Sequence, residues 1–356
     1  MNWTLTVAIT LSFLSPALAR AQDTPPEPFV CADVPAPVVS LDHGSRYIAE
    51  DDSRSEFDAA SNREVDTQLK PVDTFITDLA LSGNRALSTL EDQPAAAACV
   101  LSGLVVWAKA DALSDLATMN AQLSAPSRVA GLAFAYAQVQ PFLSSPEDQA
   151  LVEDWLAARA AATMAYFDTE APKNASRNNL RAWAGLAVAR IGLTVEDTTM
   201  TDWADASVRL VVCQAAADGS LPLEMARQEL ALHYQLHAIT PLVVTAALLQ
   251  DSGHDLFSVC DGALHRAVGF ALAAFDDPKM IRKLTGHQQS YYDGTEELRS
   301  FELAWAEAYL SLFPLPALEA FVADYAPLSN SKIGGRQSLL WNSRSETALP
   351  PLQNGN

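Results

Sequence analysis

The chain has 356 residues, and 43 Asp and Glu against 23 Lys and Arg leave a formal net charge of −20. Hydrophobic residues at 49% and charged residues at 19% give an ordinary globular composition rather than a disordered one. The acidic balance excludes a nucleic-acid binder or a polybasic membrane clamp, both of which need a cationic surface, so an acidic ligand would have to meet a local cationic cleft.

The N-terminus reads first as a compartment signal. Residues 3–19 (WTLTVAITLSFLSPALA) form an apolar run broken by Ser15-Pro16, and Ala19-Arg20-Ala21 supplies the small residues of a cleavage site before Gln22. A signal peptide over 1–21 is expected, although its n-region lacks Lys and Arg, and the mature protein is expected to be periplasmic or secreted. The run is too short and Pro-broken to suit a membrane anchor. Four cysteines, Cys31, Cys99, Cys213 and Cys260, fit an oxidising compartment. They form no CxxC or Cys/His cluster, so no metal site is expected. They allow three pairings; a bridge from Cys31 to Cys99 would pin the N-terminal arm to the body.

Residues 43–66 (HGSRYIAEDDSRSEFDAASNREVD) are polar, carry charge of both signs and have few apolar anchors, which predicts a solvated loop leading into a helix from about Glu56. Beyond residue 85 apolar stripes recur at three- and four-residue spacing over 95–119, 128–143, 147–166, 179–193, 199–217, 224–250, 256–275, 297–312 and 316–325. Breakers separate them, among them Ser124-Ala125-Pro126, Pro146, Pro172, Asp218-Gly219 and Asp276-Asp277-Pro278. No run of alternating β-branched residues appears. The pattern predicts an all-α body of antiparallel helical hairpins in one domain. The arm and loop occupy 22–66, the helical domain 67–340, and a disordered tail 341–356. Gly334-Gly335 suits a close backbone approach.

Two segments carry candidate chemistry. In 219–242 (GSLPLEMARQELALHYQLHAITPL), Glu224 to Leu236 reads as a helix, and Arg227 and Tyr234 lie two turns apart on one face. An Arg beside a phenol favours the phenolate and can also clamp a carboxylate, although the same pair is what a packed aromatic beside a surface salt bridge produces. In 174–186 (NASRNNLRAWAGL), Asn179 and Trp183 share a face, an amide and an indole plate that suit a sugar; helix capping and a core Trp would look the same.

These residues carry a resemblance. Asn-Asn-Leu-Arg-Ala-Trp at 178–183 resembles the Asn-Asn-His-Ser-Tyr-Trp motif of the mannuronate-specific alginate lyases, polysaccharide lyase family 5, and 221–242 resembles that family's LPNE…R……Y…PL helix. WAKADAL at 107–113, GALHRA at 262–267, DDP at 276–278, TGHQQ at 285–289, WAEAY at 305–309 and IGG at 333–335 follow in the family's order. Ser45-Arg46-Tyr47 is similar to its lid loop, and Cys31 and Cys99 match its cysteine pair, so the likeness spans about 29–340.

The resemblance implies an incomplete (α/α) toroid and β-elimination on a polyuronate, with no metal or nucleotide cofactor. It also implies that Tyr234 is base and then acid, that Arg227 lowers its pKa, and that Asn179 binds the sugar carboxylate. Arg46 and Tyr47 would close over the sugar, and Lys332 would meet a carboxylate. Trp183, Lys109, Gln138 and Trp305 are further cleft candidates. Arg46, Lys109, Arg177, Arg181, Arg227 and Lys332 together would form the cationic cleft.

One departure matters. The family His is Leu180 here, which can neither neutralise a carboxylate nor act as a base, so His237 or Arg181 is expected to replace part of its role. The expected partner is an anionic polysaccharide, with no nucleic acid and no membrane after signal cleavage, and a monomer is expected. Rival readings are a lyase on another uronan such as polyglucuronate, and a non-catalytic polysaccharide-binding relative. A glycoside hydrolase would need two opposed carboxylates, and no such pair stands out.

Overall fold

The computed structural model describes residues 29–292 and 297–341, and the expected signal peptide and most of the expected tail lie outside them. The helices in chain order are α1 (Ala59–Ser88), α2 (Gln93–Lys109), α3 (Met119–Val139), α4 (Pro146–Thr169), α5 (Asn179–Val195) and α6 (Thr198–Val212). They continue as α7 (Pro222–Met225), α8 (Ala231–Leu249), α9 (Val259–Asp276), α10 (Lys279–Thr285), α11 (Trp305–Leu310) and α12 (Pro316–Ala323). Asp58, Thr118, Asn178 and Asp197 cap α1, α3, α5 and α6 with side-chain oxygens, satisfying first-turn amides that have no intrahelical partner.

The small residues of α3 and α5 explain the arrangement. With Ala and Gly on most faces, these helices are buried nearly all round, and α5 touches α3, α4, α6 and α8. A Cβ on Gly185 would lie 3.2 Å from Ser207 Cβ, so α6 sits close against α5. Helices α1, α3, α5, α8 and α11 contact one another in sequence as an inner series, with α2, α4, α6 and α9 packed behind them. This is the (α/α) toroid expected from the sequence.

Strand structure among the described residues consists of two short ladders. β1 (Ser40–Leu41) runs parallel to β2 (Asp115–Leu116), and β3 (Ser329–Asn330) antiparallel to β4 (Gly335–Arg336). Two disulfides, Cys31–Cys99 and Cys213–Cys260, tie the arm to α2 and the end of α6 to the start of α9.

Several boundaries depart from the sequence reading. Pro126 lies inside α3 instead of breaking it: as the eighth helical residue it forfeits the bond to the Gln122 carbonyl, and the burial of α3 on nearly every face holds the helix across that gap. α1 starts at Ala59, inside the stretch assigned to the arm, and Trp341 is buried with its indole N–H on Gln337, so it belongs to the body and not to the tail. The helix expected from Glu224 to Leu236 is broken: α7 ends at Met225, Gln228 takes a positive φ of 53°, and α8 starts at Ala231.

Candidate active site

A cleft of about 370 Å³ opens at the inner helices, lined by Thr77, Trp183, His233, His237, Glu302 and Lys332 among others. α8 supplies His233, Tyr234 and His237, α5 supplies Trp183, and the turn between β3 and β4 supplies Lys332. That turn is held against α1 and α3 by its two glycines. Both have positive φ, and a Cβ would fall 2.5 Å from Gln138 Nε2 at Gly334 and 2.6 Å from Asn84 Nδ2 at Gly335. Gln138 donates to the Gly334 carbonyl, so this candidate cleft residue is a buried anchor for the turn that carries Lys332.

Arg227 and Tyr234 meet despite the break between them. The Arg227 guanidinium carbon sits 3.5 Å from the centre of the Tyr234 ring and 5.2 Å from that of Tyr47, stacked between the two. Its N–H groups donate to the Arg54 carbonyl in the loop over 45–57. That loop is ordered by its own chemistry: the Asp51 carboxylate accepts from the amides of Ser53, Ser55 and Glu56. These bonds outweigh desolvation and hold its pKa at about 2. Tyr47 stacks on Phe57 at 5.0 Å, and its hydroxyl hydrogen-bonds the Tyr234 hydroxyl. Desolvation and Tyr47 push the Tyr234 phenol above its ordinary value, while Arg227 opposes them and loses. Arg227 thus pulls the phenol down, in the direction the resemblance implies, but desolvation and the Tyr47 hydroxyl leave it above its ordinary value.

Lys332 is the cation that lines the cleft, and Arg128 and Arg46 lie close enough to act on it. Burial, with Arg128 and Arg46 nearby, lowers Lys332 to about 8 against the opposing pull of Asp73. Arg128, buried on α3, donates to Asp73 at 2.8 Å, and Arg46 reaches Asn62 and Asp66. His237 is driven well below its usual range by desolvation, then by His233, Lys332, Arg227 and Arg128, and so stands neutral among cations. His233 falls to about 4 by desolvation and by Arg227 and Arg299. The Tyr291 hydroxyl donates to Glu302 and lies 2.8 Å from His233 Nδ1, which makes Nδ1 the protonated nitrogen of that ring.

Other candidates fall elsewhere. Arg181 points to the α4–α6 side: it donates to Asp168 at 2.9 Å and to Ser207 at 2.7 Å, and it stacks 4.0 Å over the Trp203 ring. It is therefore a packing residue and not a stand-in for the lost His. Lys109 is an exposed residue in the last turn of α2 and is not among the cleft lining, because α2 belongs to the outer layer. Trp305 is wholly buried in the core, where no sugar could reach it. Arg177 lines a separate small crevice with Glu224.

Trp183 lines the cleft, its indole N–H donating to the His237 carbonyl at 3.1 Å. Asn179 is 1% exposed and is not among the residues lining the cleft; its backbone and side-chain N–H groups both donate to Glu224 at 2.8 Å. Leu180 packs with Leu123 against Tyr166 and Phe167. Sequence reasoning missed Arg128, Glu224, Tyr291 and Glu302. The first had a signal, since it is a lone charge within the small-residue stretch SAPSRVAGLAFA.

Comparison with known proteins assigns the class. The alginate lyase family model matches residues 13–281. The chain belongs to the alginate lyase family. This lyase is 30% identical over 294 residues to a polysaccharide lyase of Stenotrophomonas maltophilia strain K279a, covering 82% of this chain and 85% of that one. It is 27% identical to an alginate lyase of Cobetia marina, covering 86% and 82%. Its fold matches that of alginate lyase A1-III from Sphingomonas species A1 with a TM-score of 0.73 at 23% identity, covering 87% and 86%. A variant of A1-III complexed with a tetrasaccharide gives 0.76 at 24%, covering 87% and 85%.

Proposed function

We propose that the protein is an exported lyase that cleaves mannuronate-rich alginate by syn β-elimination, with Tyr234 as base and then acid. The observation that carries this reading is the stack of Tyr47, Arg227 and Tyr234, packed against His233 and His237 of a cleft that Lys332 also lines, with Arg128 and Arg46 close to Lys332. A polyuronate carries a carboxylate on each sugar, and such a group of cations answers that charge inside a protein of net charge −20.

Elimination requires the C5 proton to leave and the O4 bond to break. Removal of the proton places negative charge on the uronate carboxylate, so donors aimed there stabilise the enolate-like intermediate. Asn179 and Arg227 are the groups assigned to that charge. In mannuronan the C5 proton and O4 lie on one side of the ring, so one phenol can take the proton as phenolate and return it to O4. The sugar displaces Tyr47 from the Tyr234 hydroxyl as it enters. His237, neutral and beside Trp183, supplies part of the donor capacity that Leu180 cannot. With no imidazole at position 180, guluronate-rich blocks are poor substrates. Export is supported by the apolar N-terminal run and by two disulfides.

The test is ultraviolet absorbance of the new C4–C5 double bond on mannuronan, guluronan, polyglucuronate and a neutral glucan, with Tyr234→Phe alongside. A rise on mannuronan that vanishes in the variant is expected. A rise on polyglucuronate alone would reassign the substrate, and a flat trace on all four with binding retained would mean a binding protein.

A further inference from the structure

The geometry points to Glu224 as a positioning residue that, by gaining a proton, turns the Asn179 amide from an acceptor into a donor for the sugar carboxylate. The inference rests on the assignment of Asn179 to that carboxylate. Glu224 is 1% exposed. Its Oε1 accepts from the Asn179 backbone N–H and its Oε2 from Asn179 Nδ2, each at 2.8 Å. The same two bonds place the carboxylate at the N-terminus of α5, where an anion satisfies an orphan amide. A merely structural cap would need only the backbone bond. The second bond fixes the amide rotation, and it leaves Asn179 Oδ1 buried with no partner. An unpartnered buried acceptor is costly, and it is the wrong group to offer a uronate anion.

Protonation reverses this. A neutral Glu224 still accepts from the Asn179 backbone through its carbonyl oxygen, and its O–H donates to Asn179 Oδ1 once the amide rotates. The Nδ2 group then stands where Oδ1 stood and is offered as a donor to the sugar carboxylate. Protonation also removes the repulsion between two carboxylates sharing one amide. The charge balance permits it: burial raises Glu224 to about 7, against the opposing Asn179 N–H groups and Arg227. Arg227, which follows α7, is the charged group that acts on it, and Arg177 lines the same crevice. Substrate binding is therefore coupled to proton uptake at Glu224, and KM rises as pH passes about 7.

Glu224→Gln imitates the protonated state, with Oε1 accepting from the Asn179 backbone and Nε2 donating to Oδ1. It is expected to remove the KM rise that starts near pH 7, a rise of up to about tenfold per unit in the wild type. Calorimetry of a mannuronate tetrasaccharide at pH 8, in buffers of different ionisation enthalpy, should show greater proton uptake in the wild type than in Glu224→Gln. Independently of any variant, binding at pH 8 should increase the protonated-carboxyl infrared band of the wild type. Equal proton uptake and an unchanged KM profile in Glu224→Gln, or no infrared change in the wild type, overturns the proposal. Asn179→Ala separates the two levels: if it binds and turns over like wild type, the carboxylate assignment is what has failed.

Discussion

The hydroxyls of Tyr47 and Tyr234 hydrogen-bond to each other across 187 residues of chain, with the Arg227 guanidinium between their rings. The phenol proposed to react is thus occupied by the loop that carries Tyr47, and Tyr47 is one reason its pKa stands high. Tyr47→Phe keeps the ring stack on Phe57 and removes the hydroxyl. The phenol of Tyr234 should then ionise at lower pH, so the acid limb of kcat/KM moves to lower pH. A pH-rate profile with mannuronan checks this; an unmoved limb would show that Tyr47 does not govern Tyr234.

Tyr234→Phe leaves the Arg227 stack in place and deletes the proposed proton carrier. The expected loss in kcat is about 10³-fold, within the range for a positioned acid–base group. Arg227→Lys keeps a charge but cannot stack as a planar guanidinium or hold the Arg54 carbonyl with two N–H groups. About 10²-fold is expected there, on the scale of one lost oxyanion donor. Equal KM values for both variants and wild type would place these groups in the transition state rather than in ground-state binding.

Lys332 is charged below about 8 and loses its charge above it. Binding of an anionic polymer should weaken as pH rises through that value, in addition to the effect of Glu224 near 7. Lys332→Arg keeps the charge at all assay pH values and should hold KM lower than wild type at pH 9, while Lys332→Met should raise KM even at pH 7. Steady-state kinetics at these pH values tests both.

The helical hairpins were legible because apolar spacing and breakers are local signals, and Gly334-Gly335 announced a close approach that the turn between β3 and β4 makes. What lay hidden depends on tertiary neighbours. Nothing local shows that Gln228 takes a positive φ and splits the helix, although Arg227 still reaches Tyr234. Glu224 reads as an ordinary first-turn acid until Asn179 is brought against it from 45 residues away. Lys109 and Trp305 look like site residues by motif, yet one faces outward from the outer layer and the other is sealed in the core.

Arg181 shows the same limit and yields a stability prediction. Its contacts with Asp168, Ser207 and the Trp203 ring join α4, α5 and α6. Arg181→Leu loses a stacked, hydrogen-bonded cation, and because Asp168 is half-exposed and can be resolvated, the cost is about 2 kcal/mol. The melting temperature should fall by several degrees with kcat and KM kept. A selective loss of kcat without a fall in melting temperature would return Arg181 to the site.

His237 carries the last prediction. It lies in the cleft with Lys332, its ring centre 6.1 Å from that of Tyr234, and burial among cations keeps it neutral across the assay range. A neutral imidazole acts here as a hydrogen-bond donor and not as a charge, so an amide can imitate it. His237→Ala should lower kcat on mannuronan by about tenfold, near the value of one hydrogen bond to a charged group. His237→Gln should recover most of that loss, and neither variant should move the acid limb. If His237→Ala turns over like wild type, the chain works without any replacement for the residue lost at Leu180.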